Sequence, residues 1–334
     1  DPSVIIDGGP NKKKDPAFGA DVLRLWASSV DYSVDVPIGE NILRQLSDVY
    51  RKVRNTSRYL LGNLHDFDPE NDFVMVKELP ILDRWMLNRT SEVIDQITLA
   101  FESYEFSKFF QIIQSFCVVE LSNFYLDIAK DRLYVSSPQD FRRRSCQTVL
   151  SLIIERLSGL ISPVLPHMAE DIWQNIPYKL KEESVFQKGW PDVPDDRRND
   201  SLVKPINELR SLISLVNKAL EDCRVNNKIG ASLEAAARVD VNKPLLKEAI
   251  EWLQLNGNPE VDNLRDWLLL SNLQFGGEPW AEILISQETE IGVIEIATAR
   301  GKKCHRCWHY ENDIGSHQKY EYLCKRCSDI VKNL

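Results

Sequence analysis

The sequence has few glycines and prolines, no long uncharged apolar run and no signal sequence. Of its 334 residues, 14 are glycine and 16 are proline, while 43% are hydrophobic and 27% are charged. This composition is typical of a soluble globular protein, and the length allows two or three domains with separate cores. No apolar stretch approaches the roughly 18 uncharged residues of a membrane-spanning helix, so we expect no membrane partner. Asp1 is not an initiator methionine, and we expect the chain to begin inside a longer protein.

The sequence also lacks an excess of positively charged residues. The formal net charge is −9 at pH 7, which argues against a protein that coats nucleic acid over its whole surface, although a local basic face can still bind it. Of the seven cysteines, Cys117, Cys146 and Cys223 are scattered through helical sequence, and the other four lie near the C-terminus. The odd count and the clustering fit a reducing compartment and metal ligation better than a disulfide framework.

Helical periodicity dominates residues 39–176, where apolar side chains recur three or four positions apart. Each of four apolar stripes occupies one helix face, so the helices can bury the stripes against one another as an antiparallel bundle. Ser162-Pro163 is typical of an N-cap followed by proline at the first helical position. A proline-containing surface crossing then completes a helical domain over 39–200. The stripes are Ile42, Leu46, Val49, Val53 and Leu60; Leu82, Met86, Val93 and Ile97; Phe106, Phe109, Ile113, Cys117, Leu121, Phe124 and Ile128; and Val149, Ile153, Leu157, Leu160 and Ile161.

Residues 201–299 have a mixed character. A helix is predicted first, around 209–220, and the pattern then alternates as in strands at 237–241 and 281–285, and less clearly at 291–296. We therefore predict a mainly α protein in which a small α+β junction domain follows the helical bundle. Residues 1–38, with a short helix at 21–26, form a connecting segment before the bundle.

The last segment, residues 300–334, contains two Cys-x2-Cys pairs separated by sixteen residues, a spacing that marks four-thiolate zinc sites. Each pair fits around a tight turn that aims two sulfurs at one point, and two such turns complete a tetrahedron. The predicted ligands of one structural zinc ion are Cys304, Cys307, Cys324 and Cys327. Four unrelated thiols are the alternative; a catalytic zinc is disfavoured because four thiolates leave no open position for water. His305, His309 or His317 could replace a cysteine, but each is expected to be a surface residue of the hairpin.

The same segment is basic, with eight Lys or Arg against four Asp or Glu. Both cysteine turns carry arginine at the same position, Arg306 and Arg326, and aromatic residues lie nearby. Cations and exposed rings contact RNA by phosphate attraction and base stacking. We predict RNA contacts by Arg306, Trp308, Lys325 and Arg326. The alternative, that the aromatics form the core of the small module, is at least as good for Tyr320 and Tyr322.

A second basic surface is predicted on the first long helix. Arg51, Arg54, Asn55 and Arg58 fall at positions i, i+3, i+4 and i+7, and Arg44 lies seven residues earlier on the same line. No acidic residue lies between positions 50 and 64. Continuous positive charge with an amide at its centre suits phosphates and base edges, although a solvated helix face is the alternative.

Four motifs of the chain resemble a known family. The stretch Ala20–Tyr32 and the helix Tyr50–Leu64 are similar to class I aminoacyl-tRNA synthetases, most of all to isoleucyl-tRNA synthetases. The sequence Leu165–Trp173 is less specific, being similar across the valine, leucine and isoleucine enzymes. The segment Cys304–Cys327 is similar to the zinc finger that closes the bacterial-type isoleucyl enzymes and is absent from their valyl and leucyl relatives. The resemblance covers essentially the whole chain and is of a bacterial or plant-organellar type.

This resemblance implies an enzyme that activates isoleucine with ATP and transfers it to tRNA. Residues 1–38 would follow the catalytic signature loop, 39–200 would be the anticodon-binding domain, and the catalytic and editing parts would lie in cis outside this chain. Neither a His-x-x-His motif near a glycine nor a Lys-Met-Ser-Lys-Ser run is present. We therefore expect this chain alone to bind tRNA but not ATP, and to form no isoleucyl-adenylate. The resemblance implies a cytoplasmic location, or the chloroplast stroma or mitochondrial matrix for an organellar form.

Three other functions fit parts of the sequence. A non-enzymatic zinc-finger RNA-binding protein would share the bundle and the finger, and a protein-interaction scaffold would use the finger to bind a partner. A DNA-repair protein is a weaker alternative, because only the finger resembles that group; we expect no DNA partner. Binding to tRNA at two salt concentrations separates these functions, since a scaffold has no steep salt dependence.

Overall fold

The computed structural model describes residues 2–11 and 16–333. They form two compact units, the first comprising residues 1–76, 86–127 and 144–198 and the second residues 77–85, 128–143 and 199–334. Three helices contribute residues to both units. The domain boundaries proposed from the sequence, after 38, 200 and 299, remain predictions.

The chain is mainly helical, as predicted. The helices are α1 (Pro2–Asp7), α2 (Ala20–Ser29), α3 (Glu40–Gly62), α4 (Ile81–Glu102), α5 (Phe106–Ser115), a π-helical segment (Phe116–Tyr125), α6 (Leu126–Tyr134), α7 (Phe141–Ile161), α8 (Pro166–Gln174), α9 (Val185–Lys188), α10 (Val203–Val225), α11 (Pro244–Asn256), α12 (Leu264–Trp267) and α13 (Lys325–Lys332).

Six short strands belong to the second unit. They are β1 (Ala235–Val241), β2 (Asn272–Phe275), β3 (Ile285–Thr289), β4 (Gly292–Thr298), β5 (Lys302–Lys303) and β6 (Tyr310–Glu311). The first four form a sheet of order β2-β1-β4-β3, and β5 and β6 form a two-stranded ribbon. In the larger sheet β1 is parallel to β2 and antiparallel to β4.

The predicted apolar stripes account for most of the helical core. Every member of the second stripe, from Leu82 to Ile97, and of the fourth, from Val149 to Ile161, is buried. The first stripe is shifted by one residue at its start, because Leu43 is buried whereas Ile42 is only half-buried. In the first unit α3 packs against α2, α8 and the π-helical segment. Helix packing therefore follows the periodicity of the sequence.

One continuous helix, Phe106–Tyr134, is long and apolar enough by composition to cross a membrane; it is the one such helix in the part of the chain that the structure describes. Within its most apolar window, 56% of the residues are buried inside the protein. Core helices pass the same test of length and hydropathy, and burial of this kind is what a core helix requires.

Two local predictions were wrong. Ser162 is not an N-cap: its hydroxyl donates to the carbonyl of Gly159 at 2.9 Å, at the end of α7, and the next helix begins only at Pro166. The strand predicted at 281–285 is displaced, since β3 begins at Ile285. The residues before it form a loop that follows β2, a strand that the sequence analysis missed.

Buried charges connect distant segments of the second unit. Asp262 accepts hydrogen bonds from the backbone N–H groups of Ile81 and Leu82 at 2.8 and 3.1 Å, and so caps the start of α4. Asp83 forms a buried ion pair with Arg132, whose Nη1 donates to it at 2.8 Å. Both contacts join segments far apart in the sequence, which is why periodicity could not predict them.

Candidate metal centre and nucleic-acid interface

The four cysteines of the last segment meet at one point. Their sulfur atoms all lie within 4.8 Å of one another, and all four side chains are buried. The Sγ atoms of Cys307 and Cys324 are 3.8 Å apart. Two ligands of a tetrahedral zinc ion with bonds of about 2.3 Å are separated by roughly 1.63 times that length, about 3.8 Å. The donor set and the spacing therefore fit zinc.

Short backbone contacts shape the two turns. The N–H of Trp308 donates to the carbonyl of Cys304 at 3.0 Å, and the N–H of Cys304 donates to the carbonyl of His309 at 2.8 Å. The N–H of Cys324 donates to the sulfur of Cys304 at 3.4 Å, which connects one turn to the other. Because α13 starts at Lys325, the last cysteine is carried by a helix. These contacts aim the sulfurs at a common centre.

Gly301 allows the two sides of the ribbon before this centre to approach each other closely. Its φ is +98°, and a Cβ atom there would lie 2.5 Å from the carbonyl oxygen of Glu311. Any other residue would be strained by the backbone conformation and by this contact. The position fixes the path of the chain from β4 into the first cysteine turn.

The thiols of the cluster share protons unequally. Hydrogen bonds with Cys307 and Cys327 lower the pKa of the Cys324 thiol, whereas hydrogen bonds with Cys307 and Cys324 raise the pKa of the Cys327 thiol. A divalent cation bound by the four sulfurs would displace their protons, because metal ligation requires thiolates. The arrangement suits a structural cation and leaves no open ligand position among the described cysteines.

The two turn arginines bind helix α6 and the residue that follows it in the same unit. Arg326 donates from Nη1 and Nη2 to the two carboxylate oxygens of Asp131 at 2.6 and 2.7 Å. Arg306 donates from Nη2 to the carbonyl of Val135 at 2.8 Å. Both residues were predicted to contact RNA; the structure gives both side chains partners inside the protein. The equal placement of the arginines in the two turns therefore serves docking of the cysteine module.

Other contacts reinforce this docking. Val135 packs in one buried cluster with the four cysteines. The N–H of Tyr310 donates to the hydroxyl of Ser271 at 2.8 Å, and Arg265 donates to Glu311 at 3.1 Å. His309 is also buried, at 5% exposure, and is not the surface residue that the sequence predicted. The module is thus packed against the rest of the second unit.

The outer side of the module carries exposed rings and cations. Trp308 is 61% exposed, and the Nζ of Lys303 lies 5.7 Å from the centre of its ring. Lys325, another predicted RNA contact, is exposed. Tyr322 is 64% exposed and stacks on His305 with ring centres 5.0 Å apart, so Tyr322 does not contribute to a core. Of the four predicted contacts, Trp308 and Lys325 face solvent.

Trp308 has an unusual backbone. Its φ is +67°, in the left-handed region that residues other than glycine rarely adopt. Such a conformation costs roughly 1–3 kcal/mol and persists where a function or a tight turn requires it. Here the cysteine turn requires it, since the N–H of Trp308 closes that turn onto the carbonyl of Cys304, and the ring is left exposed to solvent.

The residues of the predicted basic helix face lie exposed on one helix of the first unit. Arg44, Arg51, Arg54, Asn55 and Arg58 are all exposed on α3. Acidic neighbours accompany three of the arginines: Glu40 pairs with Arg44, Asp48 with Arg51, and Asp171 lies 4.0 Å from Arg54. Exposed ion pairs of this kind contribute little stability, so a phosphate group can replace the carboxylates at small cost.

Two known families match the chain. The family described as "Anticodon-binding domain of tRNA ligase" matches residues 83–241. The family described as "Zinc finger found in FPG and IleRS" matches residues 301–330. The second match and the four-cysteine cluster together suggest structural zinc.

Curated relatives match along the whole chain. Identity is 67% over 334 residues to the isoleucine–tRNA ligase of Prochlorococcus marinus strain SARG, 64% over 333 residues to that of strain MIT 9313, and 65% over 332 residues to that of Synechococcus sp. strain CC9311. The chain covers 34% of the length of each of these relatives. Among solved structures, the ternary complex of Agrobacterium radiobacter K84 agnB2 LeuRS, tRNA and LeuAMS matches with a TM-score of 0.40 and 16% identity, over 79% of this chain and 27% of that chain. The identity to the curated relatives, together with the two matched families, establishes that this chain belongs to the isoleucyl-tRNA synthetase family.

Proposed function

We propose that this chain is the part of an isoleucine–tRNA ligase that binds the anticodon arm of the isoleucine tRNA. The observation that supports this most directly is the combination of an anticodon-binding domain and a zinc finger in one chain that is 67% identical to such a ligase. The catalytic and editing parts of the enzyme would act in cis on the acceptor end. ATP would bind to those parts and not to this chain.

The cysteine module is proposed to hold one zinc ion through Cys304, Cys307, Cys324 and Cys327. When bound, zinc supplies only structural cross-linking of these side chains, because no open position remains for chemistry. Arg306 and Arg326 keep the module seated on α6. The module then presents Trp308 and Lys325 to an unstacked base and its phosphate, which suits recognition in a single-stranded loop.

The exposed face of α3 is proposed to bind the phosphate backbone. Arg51 and Arg54 would exchange their carboxylate partners for phosphates, and Arg58 has no side-chain partner among the described residues. Asn55, at the centre of this face, offers an amide for a base edge or a ribose. Because phosphate contacts release counterions, binding by this face must weaken as salt rises.

Filter binding of an isoleucine tRNA transcript at two salt concentrations tests the proposed function. Arg51→Ala is expected to lower the affinity and to flatten the slope of log affinity against log salt by about 0.7–0.9, the value of one neutralised phosphate. Lys52→Ala is the matched control, since Lys52 is exposed on the same helix but lies about 100° from Arg51 around its axis. Absence of salt-dependent binding by the unaltered chain would rule out the proposed function and favour a protein-interaction scaffold.

A further inference from the structure

The four-stranded sheet of the second unit has two unlike faces. Gln287 of β3, aligned with the fully buried Ile294 of β4, donates to Asp222 of α10 at 2.7 Å. That face is therefore the one on which α10 packs. Successive side chains alternate between faces, so Glu295 and Ala297 of β4 belong to the opposite face.

Small residues leave space on this opposite face. The register aligns Asn272 of β2 with Ala236 of β1, and Ala236 with Ala297 of β4. The row thus consists of one amide followed by two methyl groups. A cavity of about 610 Å³ lies over this row. Its size falls within the range of pockets that take small molecules and cofactors.

A loop, and not a helix, forms the wall of the cavity. After β2 the chain turns through Gly276 and Gly277, which have φ of +63° and +78°. Arg238 donates from Nε to the carboxylate of Glu295 at 2.7 Å and from Nη1 to the carbonyl of Gly277 at 3.2 Å. Trp280 then donates to the side-chain oxygen of Gln274 at 3.1 Å. The ring of Trp280 is thereby fixed beside the cavity.

Polar groups at the rim have unused hydrogen-bonding capacity. Asn272 accepts a hydrogen bond from the backbone N–H of Arg300 at 3.2 Å, and its amide NH₂ makes no contact within the described residues. Asn312 and the guanidinium of Arg300 are likewise without side-chain partners in the described part of the chain, and both are exposed. Two amides and one guanidinium therefore line the cavity, together with the exposed carboxylate of Glu282, which can accept a hydrogen bond from the amino group of a base but repels a phosphate on its own side.

This set of groups matches one class of ligand. An amide that both donates and accepts can form a bidentate pair with a base edge, and a guanidinium binds phosphate in the same way. Aromatic side chains supply stacking surfaces for unpaired bases. Arg300 and Asn312 also flank the ribbon β5–β6, whose exposed Lys302 and Lys303 extend the positive charge away from the cavity. That extension fits a polynucleotide better than a free small molecule.

We propose that this cavity binds one unstacked nucleotide of the tRNA, with its base against Trp280 and the amides of Asn272 and Asn312, and its phosphate on Arg300. The inference rests on the proposed function. It adds a base-recognition site on the open face of the sheet, separate from the exposed ring of Trp308.

Transcripts with single abasic substitutions in the anticodon loop test the site by filter binding. One abasic position is expected to weaken binding of the unaltered chain by about 5- to 150-fold, the value of a bidentate base contact. Asn312→Ala should cause a similar loss with intact tRNA, and should add little when combined with that abasic position. Arg300→Ala should weaken all transcripts alike and reduce the salt dependence.

Lys247→Ala is the control, because Lys247 is an exposed cation on α11 of the same unit and does not line the cavity. A third variant, Ala236→Leu, fills the cavity, and its melting temperature shows whether the fold survives. Losses for Arg300→Ala and Asn312→Ala no larger than for Lys247→Ala, or additive losses at every abasic position, would overturn the inference and leave the proposed function intact. Failure of the unaltered chain to bind tRNA would instead remove the proposed function and this inference with it.

Discussion

Among individual residues, Trp308 combines two features that stability alone does not favour. Its ring is 61% exposed, and its backbone φ is +67°. Exposure forgoes the hydrophobic stabilisation of the ring, and the left-handed conformation costs roughly 1–3 kcal/mol. The backbone conformation belongs to the turn that the N–H of Trp308 closes onto the carbonyl of Cys304, and the exposure of the ring is explained if the ring stacks on a base of the bound RNA.

Replacement of Trp308 should therefore separate stability from binding. In Trp308→Gly the relief of backbone strain is offset by the greater freedom of glycine in the unfolded chain, so the stability should change by less than about 1 kcal/mol. Affinity for tRNA should fall about 5- to 150-fold, the loss of one stacked base. Thermal unfolding and filter binding measure the two effects. Trp308→Phe, which keeps a ring, should retain most of the affinity; equal losses in both variants would contradict a stacking role.

Asp131 is the residue through which α6 holds the cysteine module. Burial raises the pKa of Asp131, but the hydrogen bond and charge of Arg326, with the charge of Arg142, hold that pKa below its ordinary value. The Arg326 side chain is 33% exposed, so the ion pair is partly screened by solvent.

Asp131→Asn should loosen the module without removing its ligands. Loss of the charge-assisted hydrogen bonds should cost about 1–2 kcal/mol, at the lower end of the usual range because of the exposure of Arg326. Hydrogen–deuterium exchange in α13 should rise while zinc remains bound at one ion per chain. The control is Asp329→Asn, which alters an exposed carboxylate on α13 itself. Unchanged exchange in Asp131→Asn would show that this ion pair does not hold the module in place.

Among the elements of the fold, the helices could be predicted from the sequence and the small strands could not. A stripe such as Val149–Ile161 repeats over several turns, and each repeat is set by local geometry. The strand β2 has four residues and pairs in parallel with β1, from which it is separated by two helices. Its short sequence carries no period of its own. The loop before β3 was predicted as a strand because apolar residues alternate in its sequence. In the structure, the hydrogen bond from Trp280 to Gln274 holds this loop against the end of β2.

The candidate site, too, could be predicted from the sequence only in part. The four cysteines could be found from their spacing alone, because metal ligation imposes a local pattern. The roles of Arg306 and Arg326 could not, since their partners Val135 and Asp131 lie 171 and 195 positions away in the sequence. Charge on a turn indicates binding capacity but does not say whether the partner is a phosphate or a carboxylate of the same chain.

The sheet contains an ion pair whose contribution depends on pH. The hydrogen bond from Arg238 lowers the pKa of Glu295 more than burial raises it, and both side chains are less than a tenth exposed. A carboxyl group whose pKa is lower in the folded state stabilises the fold above its unfolded pKa of about 4.3. This stabilisation is lost as the pH falls through the folded-state pKa.

Glu295→Gln should therefore destabilise the protein at neutral pH and much less in acid. At pH 7 the loss should be about 2–4 kcal/mol, because Arg238 keeps its charge without a counterion. Below about pH 4 the difference from the unaltered chain should shrink, since Glu295 of that chain becomes protonated as well. Urea unfolding at both pH values measures the difference. Glu288→Gln, on the exposed side of β3, should show little effect at either pH; a difference for Glu295→Gln that does not vary with pH would argue against the ion pair as its source.

At the scale of the whole molecule, the last segment depends on a different source of stability from the remainder of the chain. The first unit has an extensive apolar core made by long helices. The last segment of the second unit has a small cluster of Val135 and four cysteines, with Ile314, Leu323 and Ile330 partly buried around it. Apolar area of that size is too small to fold such a segment by itself, and zinc binding contributes about 10–16 kcal/mol in isolated fingers of similar size.

Removal of zinc should consequently affect one part of the molecule. With a chelator, hydrogen–deuterium exchange should rise sharply over residues 301–332. It should rise moderately over residues 126–135, where Asp131 of α6 and Val135 just after the helix lose ordered partners. Exchange in α3 should stay constant, because its buried residues pack on other helices of the first unit. Added zinc should restore the original pattern, and elemental analysis should give one ion per chain. Exchange that is indifferent to the chelator would mean that the four thiols pack as an ordinary small core, and the prediction of a zinc site would then be wrong.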